Sequence, residues 1–176
     1  MDIEKLQKQT DEIIDYWIAE VKQYNYSQLI AKPAEGSWSI GQVGIHLWMS
    51  AKGFFFKNAE RCLTGEKAEK GHSKNLTGHL VFTFRTFPPV SVKMPDSVAV
   101  EPRQPDSVEH MVGKLEEVKT LARQYIACIP QSNPDLKTKH PFLGWLNTAE
   151  WVQLCNIHFR HHIKQKKRIE AHFGYK

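Results

Sequence analysis

From Asn147 onward the chain reads as one long amphipathic helix whose apolar stripe is interrupted by two histidines. At about 100° per residue, Trp151, Leu154, Cys155, Ile169 and Phe173 fall within about 100° of arc. His158 and His162, four residues apart, lie near the middle of that arc. The opposite side carries Arg160, Lys164, Lys167 and Arg168, and the whole basic run Lys164 to Arg168 is assigned to the solvated face. The histidine pair therefore points into the protein. His161 sits at the edge of the arc; His158 and His162 are preferred to it, although an i,i+3 arrangement is sterically open. Inward histidines can be hydrogen-bonded core residues, but two adjacent imidazoles disfavour each other's charged forms, and one divalent cation satisfies both.

The 176 residues are enough for one sizeable core, and a single domain over 1–176 is expected. Ile3, Leu6, Ile13, Ile14, Trp17, Ile18 and Val21 recur at helical intervals, predicting a first helix from Asp2 to about Tyr24. Pro33 and Gly36 make 25–37 a loop. Ser39 with Gln42 forms a capping box opening a second helix that runs to about Cys62. Between Leu63 and Asp106 the chain is rich in Gly, Pro, Lys and Ser and reads as a long crossover, within which Phe82 to Phe87 alternates like a short strand. A third helix starts at Asp106 or Ser107 and stops near Pro130, and a loop then leads to the Asn147/Glu150 capping box of the last helix. The expectation is an all-α four-helix bundle with a long crossover between helices two and three.

Charge is modestly basic, with 24 Lys and Arg against 19 Asp and Glu, and the signs are interspersed. No nucleic-acid motif accompanies the basic run, so no nucleic-acid partner is expected. No apolar run has membrane length and no secretory pattern opens the chain, which predicts a cytoplasmic protein without a membrane partner. Cys62, Cys128 and Cys155 are too few and too scattered for a disulfide framework and read as reduced thiols. Cys155 shares the face of His158 and stays a distant candidate ligand. There is no Gly-rich phosphate loop and no Ser-centred elbow.

A catalytic zinc-like ion takes three protein ligands and keeps an open position. His46 is the best third candidate, on a stripe His46-Ser50-Gly53 whose small residues would leave room for a pocket, although it projects to the edge of its helix's apolar arc. The run Trp38-Ser39-Ile40-Gly41-Gln42-Val43-Gly44-Ile45-His46-Leu47, with the His158-x-x-x-His162 pair on the last helix, resembles the DinB-like superfamily, which includes the YfiT-type metal-dependent hydrolases. Through His140-Pro141-Phe142-Leu143-Gly144 and Thr148-Ala149-Glu150-Trp151, the chain is also similar to a branch of that superfamily without assigned activity. The resemblance spans nearly the whole chain. It implies a divalent metal, zinc or nickel, held by His46, His158 and His162. It also implies thiol S-transfer, with a low-molecular-weight thiol such as bacillithiol or mycothiol as cosubstrate, or hydrolysis of a small molecule. A homodimer is a further expectation of the resemblance. The other class the sequence admits is a non-catalytic, ligand- or metal-binding stress-response bundle, since no catalytic acid or base stands out. Gln165, one turn beyond His162, is an orienting or a structural residue; His140 is a fourth ligand, a general acid or a loop anchor; Tyr125 is a phenol donor or a packing residue. Trp38, Trp145 and Trp151 are assigned to the core.

Overall fold

A computed structural model describes residues 2–88 and 101–175. Each long helix begins where a side chain can satisfy its orphan amides. Asp2 caps α1 (Ile3–Val21). Ser39 and Gln42 form the box of α3 (Ile40–Ser50), Ser107 caps α6 (Val108–Cys128), and Asn147 with Glu150 boxes α7 (Thr148–Phe173). The second bundle helix is a composite of α3, a π-helical turn Ala51–Phe56 and α4 (Lys57–Thr64). With α1, α6 and α7 it makes the four-helix bundle: α1 lies along α6 and α7, and α3 packs on both α6 and α7.

Four local expectations are corrected. The 25–37 loop contains a short helix α2 (Tyr26–Ile30), because Asn25 and Gln28 complete a capping box of their own. The alternating run at Phe82 begins inside a helix, α5 (Leu76–Phe84), because Asn75 caps it and a helix satisfies its amides internally where no partner strand exists; the helix ends at Arg85, in the left-handed region, and Phe87 lies beyond it. Residues 89–100 of the predicted crossover lie outside the described residues. The loop before α7 holds a small antiparallel hairpin, β1 (Thr138–His140) and β2 (Gly144–Leu146). On it Trp145 is half-buried, its ring stacked on His72 at 4.2 Å, and is not a core residue.

The core proper is built on aromatic side chains whose polar edges find partners. Trp17 is fully buried and its Nε1 donates to the Phe159 carbonyl oxygen at 3.1 Å, tying α1 to α7. Trp151, also fully buried, donates to Thr138 Oγ1 at 2.8 Å and fixes the hairpin on the bundle. Trp38 is only partly buried, at the core margin. Tyr125 stacks on Phe56 at 5.3 Å, a packing role. Two glycines let α3 approach its neighbours: a Cβ at Gly41 would stand 2.7 Å from the Pro105 ring, and one at Gly44 2.7 Å from Met111 Sδ. Among the described residues, no helix is long and apolar enough to cross a membrane.

Lys166 departs from its assignment to the solvated face. It is 1% exposed, and its ammonium donates to Glu20 Oε2 at 2.5 Å, Glu170 Oε1 at 2.8 Å and Tyr24 Oη at 3.4 Å. Counting every fourth residue from His158 puts Lys166 and Glu170 on the histidine stripe, so the period held and only the residue type misled. A cation taken from between two partly buried carboxylates leaves their repulsion uncompensated. Lys166→Ala will lower unfolding free energy by about 3 kcal/mol in urea denaturation, whereas Lys164→Ala on the outer face will change it by no more than about 0.5 kcal/mol.

Candidate metal centre

The last helix brings two imidazoles to the site and α3 brings the third. Nucleation of α3 is local: Ser39 Oγ accepts from Gln42 N, and Gln42 Oε1 accepts from Ser39 N, both at 3.0 Å. The helix start is then held from outside. Gln42 Nε2 donates to Glu101 Oε1 at 2.9 Å and to the Pro102 carbonyl at 2.8 Å, and Ser39 Oγ donates to Gln104 Oε1 at 2.8 Å. His46 projects from the second turn of this anchored segment toward α7.

The three predicted histidines come together. Ring centroids are 5.0 Å apart for His46 and His158, 4.8 Å for His46 and His162, and 4.5 Å for His158 and His162. One nitrogen of each lies within 4.8 Å of the others, and the Nε2 atoms of His46 and His158 are 3.0 Å apart. Nitrogens bound to one ion at about 2.0–2.1 Å are separated by about 3.0–3.4 Å, so the donor set matches a common cation in kind, and the His46 and His158 pair matches it in spacing. Among the described residues no carboxylate or thiol joins the group. Cys155 is buried with its thiol pushed up by desolvation, and it stays out of the cluster. His140 also stays out: its Nδ1 accepts from Phe142 N at 3.1 Å and its ring packs on Phe54 and Trp151, so it anchors the hairpin.

Burial sets the charge state. His162 is buried and the other two are half-buried. Desolvation, with the nearby His161 charge, lowers His46 to about 4. Desolvation and His46 lower His162 to about 3, against the opposing effect of its hydrogen bond to the Gln165 Oε1 acceptor. His158 is held well below its ordinary value by burial first and by His162 and His46 next. Three neutral donors at pH 7 suit a divalent cation, and they would leave its charge undiminished.

The aromatic walls are what periodicity missed. Trp38 lies 5.1 Å from the His46 ring, Phe55 meets His158 edge-on at 5.2 Å, and Phe87 stands over His158 and His161 at 6.2 and 5.2 Å. The π turn explains Phe55: an inserted residue rotates the downstream part of the helix by about 100°, turning Phe54 and Phe55 toward α7. By the same rotation Gly53 is exposed, with open space around its Cα, and does not line the site as the His46-Ser50-Gly53 stripe suggested. The run Phe54-Phe55-Phe56, with no polar break, was the available signal.

Unfolded histidines titrate near 6.5, whereas His46 and His140 are held to about 4 and His162 to about 3, so between these values the unfolded chain binds more protons than the folded one. Stability is then fully present above about pH 6.5 and falls as pH drops through the window. Urea midpoints of metal-free protein will decline from pH 7 to pH 4.5, and His158→Leu will flatten the decline; a level wild-type profile would contradict buried neutral rings.

No curated protein matches the chain. Among solved structures, TT2238, a four-helix bundle protein, is similar with 16% identity and a TM-score of 0.60 over 95% of this chain and 99% of that one. YfiT from Bacillus subtilis, described as a probable metal-dependent hydrolase with an unusual four-helix bundle topology, is similar with 17% identity and a TM-score of 0.58 over 99% of this chain and 90% of that one. These likenesses establish the fold alone. The family model of the DinB superfamily matches residues 9–165, and the chain belongs to that superfamily.

Proposed function

We propose that this protein is a metal-dependent enzyme acting on a small molecule, with His46, His158 and His162 holding a divalent zinc or nickel ion. The observation that carries the reading is the convergence of three neutral imidazoles from two helices with no carboxylate among them. The description of YfiT as a probable metal-dependent hydrolase agrees with it. When bound, such a cation acidifies a water or a low-molecular-weight thiol at its remaining position, which supports either hydrolysis or thiol transfer to an electrophile. The chain's own residues do the rest. His46, His158 and His162 fix the donors on rigid helices; Trp38, Phe55 and Phe87 exclude water and offer flat apolar surface to a substrate.

Protein purified without an affinity tag will carry about one divalent cation per chain, and His46→Ala and His162→Ala will each weaken cobalt binding by more than the roughly 10–100-fold that loss of a ligand's hydrogen-bond partner costs. Absence of stoichiometric metal in chelator-free buffer removes the reading.

A second reading, a bundle that binds a metal or small ligand without turnover, is favoured by the same observation, since among the described residues no carboxylate joins the His46 group to serve in proton transfer. Screening thiol and electrophile pairs with the loaded protein separates the two: turnover lost in His162→Ala selects the enzyme, and thermal stabilisation by metal with no turnover selects the binding bundle.

A further inference from the structure

Of the three clustered imidazoles, one has a side-chain partner outside the cluster. His162 Nδ1 lies 2.8 Å from Gln165 Oε1. Among the described residues no other side chain hydrogen-bonds a ring nitrogen of the triad, where His46 and His158 meet only each other, Nε2 to Nε2 at 3.0 Å. A carbonyl oxygen can only accept, so His162 must donate its Nδ1 hydrogen, and a neutral imidazole with its proton on Nδ1 presents a bare lone pair on Nε2. The partners are three residues apart on the 26-residue helix α7, so the contact is set by helix geometry and does not depend on the docking of α3.

We infer that Gln165 is the positioning residue of the metal centre, holding His162 in the Nδ1–H tautomer with Nε2 aimed at the point shared with His46 and His158. Resting on the metal-centre reading above, this makes His162 the preset ligand. The His46 and His158 pair is different: a hydrogen bond between two Nε2 atoms needs one of them protonated, so one of these rings must relocate its proton to Nδ1 before both can donate to a cation.

Two substitutions separate positioning from packing. Gln165→Leu keeps the size and removes the acceptor; Gln165→Glu keeps the acceptor and adds charge. A packing role predicts that Leu is tolerated and Glu is not, and positioning predicts the reverse. Cobalt affinity, measured by titration against a competing chelator, will fall about 10–100-fold in Gln165→Leu and stay within a few-fold of wild type in Gln165→Glu, with far-UV circular dichroism confirming that both are folded. Long-range proton–nitrogen NMR spectra of the metal-free protein will show His162 protonated at Nδ1 in wild type and Gln165→Glu, and a tautomer mixture in Gln165→Leu. A His162 proton on Nε2 in wild type, or Gln165→Leu binding cobalt as tightly as wild type, overturns the inference. The tautomer needs no metal to be read, so a chain that bound no cation would remove the enzyme reading while the orientation of His162 was still decided on its own.

Discussion

The inner stripe of α7 imposes the constraint on which the bundle is arranged: it buries ionisable groups where a helix of this kind normally buries aliphatic ones. His158, His162, Lys166 and Glu170 follow one another at four-residue steps along it. Each must be neutral or paired once water is withdrawn. The two ends of the stripe solve this differently. Toward the C-terminus the answer is charge pairing, with Lys166 enclosed by Glu20, Glu170 and Tyr24. Toward the middle the answer is neutrality, with three imidazoles kept deprotonated by their surroundings. A helix carrying both devices leaves its partners little freedom, since α1 must supply the carboxylate of Glu20 and α3 the ring of His46.

The irregular parts of the fold serve the same site. The π turn after α3 rotates three successive phenylalanines so that Phe55 reaches His158 while Phe56 stacks on Tyr125 in the layer toward α6. The hairpin, held by Trp151 through Thr138, carries His140 to the margin of the same aromatic layer.

Much of this was legible in the residues, and the gaps have physical causes. Long helices announce themselves through an apolar period and capping pairs, both local, and so Ser39/Gln42 and Asn147/Glu150 marked true helix starts. The inward direction of His158 and His162 followed from the same period. His46 did not, because it projects to the edge of its stripe and its partners lie on another helix; the small residues beside it made it a candidate, and the likeness of its surrounding run to a known superfamily settled the choice. Asn25/Gln28 was an equally good capping pair, overlooked because Pro33 and Gly36 nearby suggested a loop. Phe82 to Phe87 misled because alternation over a few residues also fits a short helix whose outer face stays exposed, as Leu76, Leu80 and Phe84 do. Lys166 was misassigned by chemistry: its paired carboxylates come from another helix and from the next turn, and neither is marked by its immediate neighbours.

His46 and His158 stand 112 positions apart in the chain yet their nitrogens nearly touch. Any ion seated between them would act as a cross-link joining the first half of the polypeptide to its last helix. Because that coordination has no counterpart in the unfolded chain, its binding energy adds to folding energy in proportion to the logarithm of free metal concentration. Metal supply in the surroundings would thereby set how firmly the two halves of the molecule stay closed.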